Sequence, residues 1–179
     1  MRLCVFCGSA MGKSPIYRRS AMALGEALAK RGVGLVYGGA SIGTMSAVAD
    51  AALEAGGEVI GVIPQTIADR EVAHEGLTEL LVVDSMHTRK ARMTELSDAF
   101  LALPGGHGTL DELFECLTWS QLGIHAAPIG AWNVNGYWTP LASWMEHMVS
   151  EGFLRDADRK RLRIETRLDP LLDALLGPA

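Results

Sequence analysis

A chain of 179 residues is long enough for one ordinary domain, which buries about 70% of its unfolded surface on folding. Hydrophobic residues make up 49% and charged residues 21%, a globular composition that excludes a disordered chain. The net charge of −5 and the lack of any long basic run exclude an extended nucleic-acid-binding surface, while a single small phosphate needs only a local pocket.

No stretch approaches 18 consecutive apolar residues, so no membrane span or membrane partner is expected. The apolar run at the start meets Gly8-Ser9 too soon for a secretory signal, and reads instead as the first strand of a cytoplasmic protein.

That first strand covers 3–6. Cys4 and Cys7 beside it form a C-x-x-C, but three residues apart on a strand their side chains face opposite ways, and no second ligand pair exists. Packing accounts for them, and no disulfide is expected. A helix follows at 15–31, then a strand at 34–37 that runs into Tyr37-Gly38-Gly39-Ala40-Ser41-Ile42-Gly43-Thr44. As a dinucleotide fingerprint this loop fails twice: Ala40 stands where glycine is needed, and the fingerprint belongs after a first strand. A tight turn and a second phosphate or ribose wall both remain open. A helix at 44–55 and a strand at 59–63 come next. The break at 64–76 carries Asp69, Arg70, Glu71, His74 and Glu75, and is longer and more polar than a connector needs, so it is a candidate site wall.

After a strand at 80–83, a helix at 86–97 opens with Met86-His87-Thr88-Arg89-Lys90-Ala91-Arg92-Met93. A solvated basic face is the usual meaning of such a cluster. Here, however, Met86, Lys90 and Met93 share one helical stripe, which sets a lysine among apolar neighbours. Arginine also offers a planar fork that matches phosphate or carboxylate.

The strand at 100–103 leads into Pro104-Gly105-Gly106-His107-Gly108-Thr109-Leu110-Asp111-Glu112 and a helix at 109–122. Three glycines within four residues free the backbone to turn its N–H groups toward one point, and the helix start adds its own amides and dipole: an anion site. Thr109-x-x-Glu112 is also the pattern of a capping box, which would explain the threonine and glutamate but not the glycines. Trp119, Leu122 and Ile124 crowd the end of this helix. The remaining elements are a strand at 128–132, a helix at 140–150, a short strand at 162–165 and a helix at 170–176.

Short, mostly unalternated strands of Val, Ile and Leu between helices predict a parallel sheet covered on both faces. The fold expected is α/β: a doubly wound, Rossmann-like parallel sheet flanked by helices, in one domain spanning 1–179. Ligands in such folds sit at the carboxyl ends of the strands. His74, His87, His107, His125 and His147 show no metal-ligand spacing, so no metal is expected, and no serine sits in a nucleophile elbow.

Taken together, these motifs resemble the Lonely Guy (LOG) family of cytokinin-activating phosphoribohydrolases and their bacterial relatives. The family signature P-G-G-x-G-T-x-x-E is matched from Pro104 to Glu112, and M-H-x-R-K by Met86 to Lys90. The Tyr37–Gly39 turn and the Cys7-Gly8-Ser9 loop also look alike, so the likeness runs from the first strand to about His125. It implies hydrolysis of the N-glycosidic bond of an adenosine 5'-monophosphate, plain or N6-modified, to free base and ribose 5-phosphate, by a homodimer without a cofactor. Glu112 would be the essential carboxylate and Arg89 its cationic partner. Gly105, Gly106, His107, Gly108 and Thr109 would hold the 5'-phosphate. Glu71, Met86, Lys90, Thr118, Ser9 and Gly39 would complete the nucleotide pocket. Ala40 and Ser46 stand where many members have glycine. Relatives are often labelled lysine decarboxylases, yet decarboxylation on pyridoxal phosphate needs a Schiff-base lysine, whereas the motif supplies arginine and glutamate.

Chemistry fits these roles. Breaking the glycosidic bond builds positive charge on the ribose, which a nearby carboxylate stabilises while orienting water. A place for Glu112 in the first turn of a helix would keep it ionised. The main alternative is a nucleotide- or molybdenum-cofactor-binding carrier on the same fold. An NAD-dependent dehydrogenase is disfavoured by the broken fingerprint.

Overall fold

The central apolar runs are buried on both faces, and the more polar runs at 79–83 and 162–165 close the two edges. In the computed structural model, which describes residues 1–68 and 73–178, they form β1 (Arg2–Phe6), β2 (Gly34–Tyr37), β3 (Val59–Pro64), β4 (Glu79–Val83), β5 (Ala99–Ala102), β6 (Ile129–Trp132) and β7 (Leu162–Glu165). The sheet is parallel throughout, in the order β4-β3-β2-β1-β5-β6-β7, with Leu3 of β1 level with Leu35 of β2 and Ala99 of β5. The doubly wound α/β architecture is therefore as expected.

The helices are α1 (Pro15–Lys30), α2 (Gly43–Glu54), α3 (Gln65–Ala68), α4 (Met86–Glu95), α5 (His107–Gln121), α6 (Thr139–Ser150), α7 (Asp156–Arg159) and α8 (Leu168–Leu176). On one face, Leu24 of α1, Val48 of α2 and Leu171 of α8 pack on Leu3, Val5 and Leu35. On the other, Met93 of α4, Leu113 of α5 and Met145 of α6 pack on Cys4, Phe6 and Phe100. Cys4 and Cys7 fall in opposite layers, as strand alternation requires. At Gly25 the backbones of α1 and α2 approach so closely that a Cβ would lie 2.3 Å from the Val48 carbonyl oxygen.

Three features depart from the sequence reading. β4 is an edge strand rather than one covered on both faces, with Glu79 and Val82 exposed. α3 and α7 were not anticipated, since four residues leave no readable period. α5 begins at His107, two residues before the expected start, with consequences for Glu112 described below. Among the described residues, no helix is long and apolar enough to cross a membrane.

Strands run outward from β1 to β4, and the chain then returns to lay β5 against β1. Connections leave β1 and β5 toward opposite sides at this switch point, opening a crevice above their carboxyl ends. The loops starting at Cys7 and Leu103 border it.

Candidate active site

A cleft of about 260 Å³ occupies this crevice. Gly8 and Ser9 from the loop after β1, Gly38 after β2 and Arg89 from α4 form its walls, facing Gly106, His107, Gly108, Thr109 and Glu112 of the β5–α5 turn. Met45, Ile63, Pro64, Ile67 and Met86 give one side an apolar lining. A larger cavity of about 500 Å³ opens at the amino ends of the strands, the wrong end for a ligand in this fold. Its charges are already paired, Arg2 with Glu58 at 2.9 Å.

The floor is the start of α5. Gly106 is the N-cap, so the amides of His107, Gly108 and Thr109 have no acceptor within the helix. Gly105 is required by the turn: a Cβ there would lie 2.1 Å from Thr109 Oγ1. Thr109 is buried and its hydroxyl has no hydrogen-bond partner among the described residues. Free amides, a helix dipole and an unsatisfied buried hydroxyl together make an anion site.

The earlier start of α5 corrects two expectations. Thr109 is not an N-cap, so the capping box does not form. Glu112 lies in the second turn, where the end of the dipole has faded. There its side chain turns inward, 8% exposed, and Arg89 Nη1 meets Glu112 Oε1 at 2.9 Å. Burial pushes the Glu112 carboxyl above the ordinary glutamate range, against the opposing pull of Arg89. Its place in the helix is therefore not what favours the anion: Arg89 does, helped by Lys90, against desolvation.

Arg89 is itself fixed. Its Nε donates to the Val62 carbonyl at 3.0 Å, and its Nη2 occupies the space that a Cβ at Gly38 would take, 2.2 Å away. The second glycine loop therefore admits a guanidinium at Gly38, an alternative absent from the sequence reading. Gly39 adopts φ 77°, packs over Ile63 and Leu80, and does not line the cleft. Ala40, buried, bridges to Ala73, and Ser46 bonds the Gly43 carbonyl within its own helix, so both departures from glycine lie off the cleft lining.

Lys90 points away from the cleft. Its Nζ lies 3.2 Å from Asp111 and 3.0 Å from Glu115, the residues one before and three after Glu112. Arg92 is the solvated member of the basic cluster and pairs with Glu95 at 2.7 Å. Thr118 is exposed and donates to the Phe114 carbonyl at 2.7 Å, off the cleft lining. Glu71 lies outside the described residues. Cys7, Gly38 and Ile67 line the cleft from segments the sequence had marked, though they were not singled out there, whereas Met45 and Ile63 were not anticipated and are signalled only by their place near strand ends. Among the described residues, no group of three His, Cys, Asp or Glu side chains is arranged to hold a metal ion.

Residues 45–175 match the family model described as "Possible lysine decarboxylase". The chain is 49% identical over 175 residues to the cytokinin riboside 5'-monophosphate phosphoribohydrolase of Rhodococcoides fascians, covering 97% of this chain and 88% of that protein. It is 50% identical over 159 residues to the phosphoribohydrolase LOG of Oryza sativa subsp. japonica, covering 89% of this chain. It spans 66% of that rice protein's length, and 65% of a second, probable rice phosphoribohydrolase to which it is 51% identical. The molybdenum cofactor carrier protein of Chlamydomonas reinhardtii superposes with a TM-score of 0.72, covering 98% of both chains at 20% identity, a likeness of fold alone.

Proposed function

Because this chain belongs to the Lonely Guy branch of the family described as possible lysine decarboxylase, we propose that it is a nucleoside 5'-monophosphate phosphoribohydrolase. It cleaves the N-glycosidic bond of adenosine 5'-monophosphate, N6-modified or plain, to free base and ribose 5-phosphate. The observation that carries this reading is the buried Arg89–Glu112 pair opening onto a cleft floored by the free amides of α5.

The phosphate docks on the amides and dipole of residues 106–109. That contact places the ribose one helical turn further in, beside Glu112, so that binding energy from a non-reacting group positions the reacting bond. As the C1'–N bond breaks, its electron pair leaves with the base and the ribose becomes oxocarbenium-like. The Glu112 carboxylate stabilises that charge and orients water toward C1'. Arg89 favours the anionic form of Glu112 while the phosphate enters the same cleft. Ile63, Pro64, Ile67 and Met86 offer the departing base an apolar wall.

Lys90 contributes from outside the cleft, pinning α4 to α5 and neutralising the two carboxylates that flank Glu112. This argues against decarboxylase chemistry, since none of the described lining residues is a lysine able to form a Schiff base. The same reading takes the chain as one cytoplasmic domain acting as a homodimer. Leu122 and Ile124, 69% and 63% exposed, offer apolar surface for an isologous contact.

The test is phosphate dependence. AMP should yield adenine and ribose 5-phosphate in equal amounts, while adenosine should be turned over at least about a hundredfold less efficiently. Equal efficiency on AMP and adenosine would remove the phosphate-docking argument.

A further inference from the structure

We infer that Tyr137, which lies outside every motif, is a positioning residue for the phosphate-binding backbone: its hydroxyl donates to the Gly105 carbonyl and so aims the Gly106 N–H into the catalytic cleft. This rests on the reading in which residues 106–109 hold the 5'-phosphate.

In a planar trans peptide, the carbonyl and the following N–H point in opposite directions. Whatever fixes the Gly105 oxygen on one side therefore fixes the Gly106 N–H on the other. Tyr137 lines a second cleft of about 280 Å³, which shares Gly8, Ser9 and Gly106 with the catalytic cleft but has neither Arg89 nor Glu112 in its walls. The hydroxyl thus takes the carbonyl on the side away from Glu112, leaving the N–H to face the substrate.

The glycine turn needs such an external restraint. Gly105 packs against the Thr109 side chain, but around Gly106 nothing beyond its chain neighbours lies within 4 Å of where a Cβ would be, so side-chain packing holds only one end of this peptide. Two successive glycines are also free to rotate, and ordering them on binding would cost affinity. Tyr137 is well placed to supply the restraint. Its ring meets the edge of Tyr17 at 5.9 Å between centroids and Trp138 at 5.0 Å. Trp138 is buried, and its backbone N–H donates to Asn133 Oδ1 at 2.7 Å, which anchors the turn Val134–Gly136. A donor mounted on this aromatic stack holds the amide ready before the phosphate arrives.

The experiment is Tyr137→Phe, which keeps the rings and removes one hydroxyl. Calorimetry with AMP and with ribose 5-phosphate should show both dissociation constants raised together, about threefold to tenfold. The KM for AMP should rise likewise with kcat nearly unchanged and the melting temperature held. Wild-type affinity for both ligands would overturn the inference, as would a fall in melting temperature or in kcat without a change in affinity. If the native protein binds AMP but releases no base, the hydrolase reading fails while the affinity comparison still decides the role of Tyr137. If it binds neither ligand, both readings fall.

Discussion

Glu112 and Asp158 are both buried carboxylates held by arginine, yet their carboxyls are shifted in opposite directions. Asp158 accepts from Arg155 at 2.6 Å and from Arg161 at 2.9 Å, and Arg161 reaches on to Ser120 Oγ. Those hydrogen bonds hold the Asp158 carboxyl below the ordinary aspartate range. Glu112 has one guanidinium, lies against the core and is raised by burial. An aspartate shared between two arginines is satisfied and structural: it staples the segment around α7 to α5. A glutamate with one cation and an open cleft retains unused acceptor capacity, which is what a developing positive charge on a substrate requires.

The comparison can be sharpened first at Lys90. Replacing it by Met leaves Asp111 and Glu115 unpaired on either side of Glu112, adding negative charge to a site also faced by Arg89, Cys4 and Cys7. If Glu112 acts as the anion, activity is present above its pKa and lost as pH falls through it. Lys90→Met should therefore move the acid limb of the pH–rate profile upward by about one unit, costing about tenfold on that limb. Lys90→Arg should restore the profile. A loss confined to KM, with the limb unmoved, would place Lys90 on the substrate instead.

At Asp158 the expected effect on catalysis is nil. Asp158→Asn should lower the melting temperature by a few degrees at neutral pH and leave kcat/KM unchanged. A depressed carboxyl contributes stability that is present above its unfolded pKa and lost as pH falls through the folded one. The gap between variant and wild type should accordingly close in acid, below the ordinary aspartate range. A large loss of activity at unchanged stability would erase the contrast between the two sites.

Much of this was legible in the residues. Strand–helix alternation gave the sheet and its two covered faces, and the two signature segments carried Arg89, Glu112 and the glycine turn. Less legible was anything set by where a helix starts. Two residues at the head of α5 moved Glu112 from the first turn to the second, and so turned a dipole argument into a desolvation one. The role of Gly38 was hidden because its reason is the Arg89 side chain, 51 residues away in sequence. Tyr137 left no signal, since one hydroxyl on a loop after β6 has no periodicity and no motif.

If Glu112 supplies chemistry rather than structure, Glu112→Gln separates the two. The amide keeps the shape and an acceptor for Arg89, but it cannot carry the negative charge. With AMP, the variant should lose at least about a hundred- to a thousandfold in kcat while its dissociation constant for AMP stays near that of wild type. Near-normal release of adenine and ribose 5-phosphate by the variant would contradict the account.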